Sequence, residues 1–178
     1  MPANEPGQTP DTDTPLWQFA VALWQQQDAS TLCLDLQQRG WSVTRLLCAG
    51  WLASEGREYA GDEPDELRQW RSTVTESVRS LKKSLDKSDT LFQSLRQALA
   101  KAELEAERIE LYRAWLILRD APESPITDAI PLAERNLRRA APETNGSLND
   151  KTEPMIRHLA QLINLIRSPG RSGITGSG

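Results

Sequence analysis

Histidine and cysteine are nearly absent from this chain of 178 residues, which has one of the first and two of the second. His158 has no Cys, Asp or Glu at metal-ligand spacing, so zinc is not expected, and a general base there would still need a nucleophile and an orienting carboxylate. Cys33 and Cys48 sit inside apolar helical patterns, where a free thiol packs as a small hydrophobe, so both are expected reduced and buried. Basic residues are not in excess. The formal charge is -4 and the pI about 5.2, which argues against broad binding to a nucleic-acid backbone. No run approaches the roughly 20 apolar residues of a membrane span, and the amino terminus lacks the basic head and apolar region of a secretory signal. A cytoplasmic protein with no nucleic-acid or membrane partner is the expectation. Glycine loops followed by Lys and Ser or Thr, and the Gly-x-Ser-x-Gly elbow, are also missing. No catalytic motif is found, and neither a metal nor a cofactor is expected.

Helical patterning fills the rest, with almost no strand-like alternation. Residues 1–13 hold three prolines and no bulky apolar side chain after Met1, and 168–178 is rich in Gly and Ser. Both read as disordered tails. Between them the pattern predicts a helical core domain over 14–119 and a helical extension over 120–167. Thr14 and Pro15 open a first helix with Leu16, Phe19, Ala20 and Leu23 inward. A second helix ends at Gly40, and Ser42 caps a third. A fourth runs from about 62–64 to Lys87, with Leu67, Trp70, Val74, Val78, Leu81 and Leu85 as its expected core face. The fifth is long, from a Ser88 cap to Arg119. Its main apolar stripe is Leu91, Leu95, Ala98, Ala102, Ile109 and Leu116, while Leu104, Leu111, Trp115 and Leu118 form a second seam. Prolines 122, 125 and 131 break the pattern before a short helix at 132–141 and a turn at Asn145-Gly146. A last amphipathic helix, 153–167, is expected to dock on the second seam. The expected fold class is all-α: a compact bundle of five core helices, one of them long, plus a C-terminal amphipathic helix.

Several motifs occur together: Leu16-Trp17, Cys33-Leu34-Asp35-Leu36-Gln37, Gly40 with Val43, Trp51-Leu52-Ala53, Trp70-Arg71 and Arg79-Ser80-Leu81-Lys82. In these residues, over about 15–118, the chain resembles a family of small uncharacterised proteobacterial proteins catalogued as a domain of unknown function. Ser42 and Thr44 depart from the Asp and Asn usual around that valine. The resemblance implies a helical fold and brings no activity with it.

Three groups of residues are candidates for function. Arg68, Arg71, Arg79 and Lys82 fall on one flank of the fourth helix beside Trp70, a setting for two-point clasping of a phosphate or carboxylate; the alternative is a solvated flank paired with acids. Asp62, Glu63, Asp65 and Glu66 suit a helix start better than a magnesium site, because no second acidic motif exists. Trp17 and Trp24 border the inner face of helix one as an aromatic ridge, either partly exposed as interface anchors or covered by neighbours. Trp51 and Trp70 would complete an aromatic pocket. The leading expectation is a non-enzymatic interaction or regulatory module that binds a protein partner through these aromatics or through the Leu104, Leu111, Trp115 and Leu118 seam. A small-molecule or anion-binding protein is the second reading, and an enzyme with an unfamiliar helical site the third.

Overall fold

The computed structural model describes residues 11–142 and 148–166. The expected tails, apart from 11–13, and the Asn145-Gly146 turn lie outside them. The described residues are all-α, with a single isolated antiparallel bridge between Arg57 and Glu123. None of the described helices is long and apolar enough to cross a membrane.

Local signals place the first elements. Helix α1 (Pro15–Trp24) starts where the Thr14 hydroxyl accepts from the Trp17 N–H, with Pro15 in the first turn. Proline is tolerated there because that N–H would lack a helical partner anyway. Helix α2 (Ala29–Gln38) leads into Gly40 at φ +87°, and Ser42 caps α3 (Val43–Ser54) by accepting from the Arg45 N–H. Leu16, Phe19 and Leu23 of α1, Cys33 and Leu36 of α2, and Leu46, Trp51 and Leu52 of α3 all enter one buried cluster.

The fourth helical run differs from its expected phase. It comprises α4 (Asp65–Trp70), a π-helical turn (Arg71–Thr75) and α5 (Glu76–Ser84). A π turn inserts one extra residue and so rotates everything after it by about 100°. Leu67, before the turn, is buried as expected; after it, Leu81 is exposed while Thr75, Arg79 and Lys82 turn toward the next helix. That helix, α6 (Gln93–Leu118), follows a 3-10 turn at Thr90–Phe92 whose cap is Asp89 rather than Ser88. Its main stripe is also corrected. Glu103, Ala106, Glu110, Leu111 and Ala114 are buried, whereas Leu91, Leu95, Ala98, Ala102 and Leu116 face outward. The distal halves of α5 and α6 thus form a two-helix arm.

Helix α7 (Ala129–Arg139) begins at Asp128 and holds Pro131 in its first turn, where the ring removes no helical hydrogen bond. Helix α8 (Glu153–Ile166) packs on α7, α3, α1 and α2 and makes no contact with α6, which corrects its expected docking on the second seam. Gly50 lies where α3 meets α1 and α8 closely. A β-carbon there would lie 2.9 Å from Ile163 Cδ1 and 3.0 Å from Phe19 Cζ, so a larger residue requires those side-chain ends to shift. Residues expected as an extension therefore belong to the one core, through Leu132, Leu137, Ile156, Leu159 and Ile163. Asn136 of α7 joins the layers: its side-chain oxygen accepts from the Tyr59 N–H, and its amide donates to Ala49 and Arg57 carbonyls.

Candidate functional site

Between the α4–α6 hairpin and the face made by α1, α2 and the start of α3 lies an open groove of about 1,070 Å³. One wall is apolar. On α1, Trp17, Val21 and Trp24 recur at helical spacing, and Leu34 joins them from α2. Val21, Trp24 and Leu34 are large, apolar and exposed, Trp24 by 42%. Trp41, nearly fully buried, lines the floor, and its indole N–H has no acceptor among the described residues. The opposite wall offers Leu104, half exposed, and Leu111.

The hairpin side is ionic, and the π turn arranges it. Arg71 and Thr75, four residues apart, both reach Glu110: Arg71 Nε donates to Oε1 at 2.8 Å and Thr75 Oγ1 to Oε2 at 3.2 Å. Arg71 also grips Glu63 with both terminal nitrogens, at 3.1 and 2.5 Å. Burial works against its charge, but these two carboxylates outweigh that and hold the guanidinium above its ordinary range. One turn out, Arg79 bonds Glu103 and Glu107, each at 2.8 Å, and Lys82 pairs with Glu103. Burial would raise the Glu103 carboxyl; the Lys82 and Arg79 hydrogen bonds reverse it and leave Glu103 below the usual range. The glutamates stand at positions 103, 107 and 110 of α6, one face of a helix.

Each expected site residue now has a place. Arg71 and Arg79 line the groove but are already committed to internal carboxylates. Lys82 pairs within the arm, and Arg68 pairs with Asp65 on the exposed surface. Trp17 and Trp24 line the groove, with the Arg108 guanidinium 5.1 Å from the Trp17 ring centre. Trp51 is buried in the core, away from any surface. Trp70 donates its indole N–H to the Ala106 carbonyl at 3.1 Å and lies under Arg113. Of the second seam, Leu104 and Leu111 reach the groove while Trp115 and Leu118 pack against the core. Two groups brought together here are invisible to sequence spacing. Trp41 sits in a loop between helices, outside any periodic pattern; Val21 and Leu34 lie on helix faces that periodicity assigns to solvent. The 103, 107, 110 glutamate spacing is the available signal for the ionic wall.

Among the described residues no cluster of His, Cys, Asp or Glu is arranged to hold a metal ion. Residues 15–113 match the family described as Protein of unknown function (DUF2390). No curated protein and no solved structure matches the chain.

Proposed function

The chain belongs to this family of unknown function, and from that premise we propose that it is an interaction module whose groove takes one amphipathic helix of a protein partner. The observation that carries the proposal is the row of exposed apolar side chains, Val21, Trp24 and Leu34, facing Leu104 across an open groove. Helix-in-groove recognition needs such a channel, with anchors entering from positions three, four and seven apart. Glu76 and Lys83 line the groove without an ion pair among the described residues, so a partner helix carrying a base and an acid two turns apart would match the rim. We place this module in the bacterial cytoplasm, in keeping with two cysteines held as free thiols.

Anion or small-molecule binding is the weaker reading. Arg71, Arg79 and Lys82 are each neutralised by glutamates, and an incoming phosphate would have to displace them.

The test compares partners captured by the wild-type chain with those captured by Val21→Arg/Leu34→Arg. A helical segment of a captured protein is then titrated against the labelled chain while the indole N–H resonances are followed. Shifts at Trp17, Trp24 and Trp41, together with loss of capture in the double variant, are expected. A segment that leaves those three resonances in place, or binds the double variant equally well, refutes the proposal. A thermal shift with inorganic phosphate that disappears in Arg79→Ala would favour the anion reading instead.

A further inference from the structure

The arm is built inside out. Its inter-helix seam carries Arg79, Lys82, Glu103 and Glu107, while Leu81, Leu91 and Leu95 point to solvent, Leu91 by 79% and Leu95 by 50%. The outward side of α6 is not a scatter of leucines. Leu95, Ala98 and Ala102 alternate by three and four residues, and the same alternation continues through Glu105, Ile109, Tyr112 and Leu116, with Leu91 just ahead of them in the 3-10 turn. This is an unbroken heptad seam with one polar member, the pattern by which one helix pairs lengthwise with another. Of the seven on α6, five are exposed and Ile109 and Tyr112 partly so. None of the described helices covers it.

We propose that a second copy of this chain covers this seam, its α6 running antiparallel to the first, so that the protein is a two-fold dimer joined along the outer faces of its arms. The charges select that geometry. A parallel pairing would set Glu105 against Glu105 of the other copy, placing like charges together at the interface. Antiparallel pairing in this register puts Leu95 opposite Tyr112, with Leu91 of the preceding turn toward the Leu116 end. Ala98 then meets Ile109, a small residue against a large one, and Glu105 meets Ala102. At that central layer Glu105 lies beside Lys101 of the other copy, and symmetry repeats the pair. Neither Lys101 nor Glu105 has an ion pair among the described residues. Two opposite charges flanking the dyad set orientation and register, as charged flanks do in coiled coils. The central alanines let the helices approach closely while the leucines close both ends.

Sedimentation equilibrium of the full chain tests this. The wild type is expected to be a dimer, Lys101→Glu to weaken dimerisation by at least about tenfold, and Lys101→Glu/Glu105→Lys to restore it. A wild type that stays monomeric at every accessible concentration overturns the proposal. So does a dimer indifferent to Lys101→Glu, or one that the double exchange fails to rescue. A second measurement does not depend on those variants folding equally well. Leu95→Cys/Tyr112→Cys should form an intermolecular disulfide under mild oxidation and Leu95→Cys alone should not, because antiparallel pairing separates position 95 of one copy from position 95 of the other by about 26 Å at 1.5 Å per residue. Equal cross-linking of the single variant overturns the antiparallel dimer.

Discussion

Asn136→Ala is the sharpest perturbation of the framework that holds the groove in shape. The side chain is completely buried, accepting from the Tyr59 N–H at 3.1 Å and donating to the Ala49 and Arg57 carbonyls at 3.3 and 2.9 Å. Ala49 lies inside α3, where its carbonyl keeps a helical partner, so little is lost there. The Tyr59 N–H and the Arg57 carbonyl are left in the interior without this partner. A buried polar group stranded in this way costs about 1–3 kcal/mol, and with one fully and one partly stranded group the loss should be about 2–4 kcal/mol. For a chain of this size that corresponds to a fall in Tm of roughly 4–16 °C. Urea unfolding followed by far-UV circular dichroism measures it, with an unchanged slope confirming that the unfolded state is unaffected. Asn136→Asp keeps the acceptor but turns a carboxylate toward two carbonyls, and should be no more stable than the alanine variant at neutral pH. A loss below about 1 kcal/mol for Asn136→Ala would mean that the amide joins nothing of consequence, and the reasoning fails.

Gly50→Val should destabilise the fold by about 1–3 kcal/mol or more, because the new side chain starts 2.9 Å from Ile163 Cδ1 and 3.0 Å from the Phe19 ring; the same urea titration reads it, and a neutral result would show that α8 can move off α3 freely. Glu103 and Glu153 are held below the usual carboxylate range, Glu153 chiefly by the hydrogen bond from Arg138. Their contribution is therefore complete above the unfolded-chain value near 4.5 and is lost as pH falls through the lowered folded values. Glu107 runs the other way, raised chiefly by burial, so its protonation relieves a cost. The acid limb of the stability profile should flatten in Glu103→Gln and steepen in Glu107→Gln, and identical limbs would refute the assignment. Burial pushes the Cys33 thiol up to about 12 and Cys48 higher still. Neither should react with a thiol reagent at pH 8 until the chain unfolds, and rapid labelling of the native protein would contradict that burial.

Much of the fold is legible residue by residue. Thr14, Pro15, Gly40 and Ser42 mark helix ends through hydrogen bonds and backbone angles that involve only near neighbours, and α1 to α3 appear where those marks put them. Trp17 and Trp24 are readable as border residues for the same reason. The ionic wall is only half visible. Arg71, Arg79 and Lys82 stand out as a basic flank, but apart from Glu63 their partners lie 21 to 39 positions away in sequence, on α6 and beyond reach of local spacing. The π turn widens the gap between pattern and structure, since one inserted residue rotates every later side chain and exchanges the faces of α5.

Helix α6 divides the two kinds of information most clearly. Short-range periodicity is enough to predict a long helix with apolar residues on two sides, because intrahelical hydrogen bonds and side-chain spacing are local quantities. Which side turns inward is not local. It depends on the neighbours that arrive there: Ala106, Leu111 and Ala114 face the body because α1, α3 and α4 pack against that side, while α8 packs on α3 and not on α6. Composition and spacing determine most of the helices and the caps at Thr14 and Ser42. Only packing in three dimensions decides which leucines are core, which arginines are neutralised, and where the groove opens.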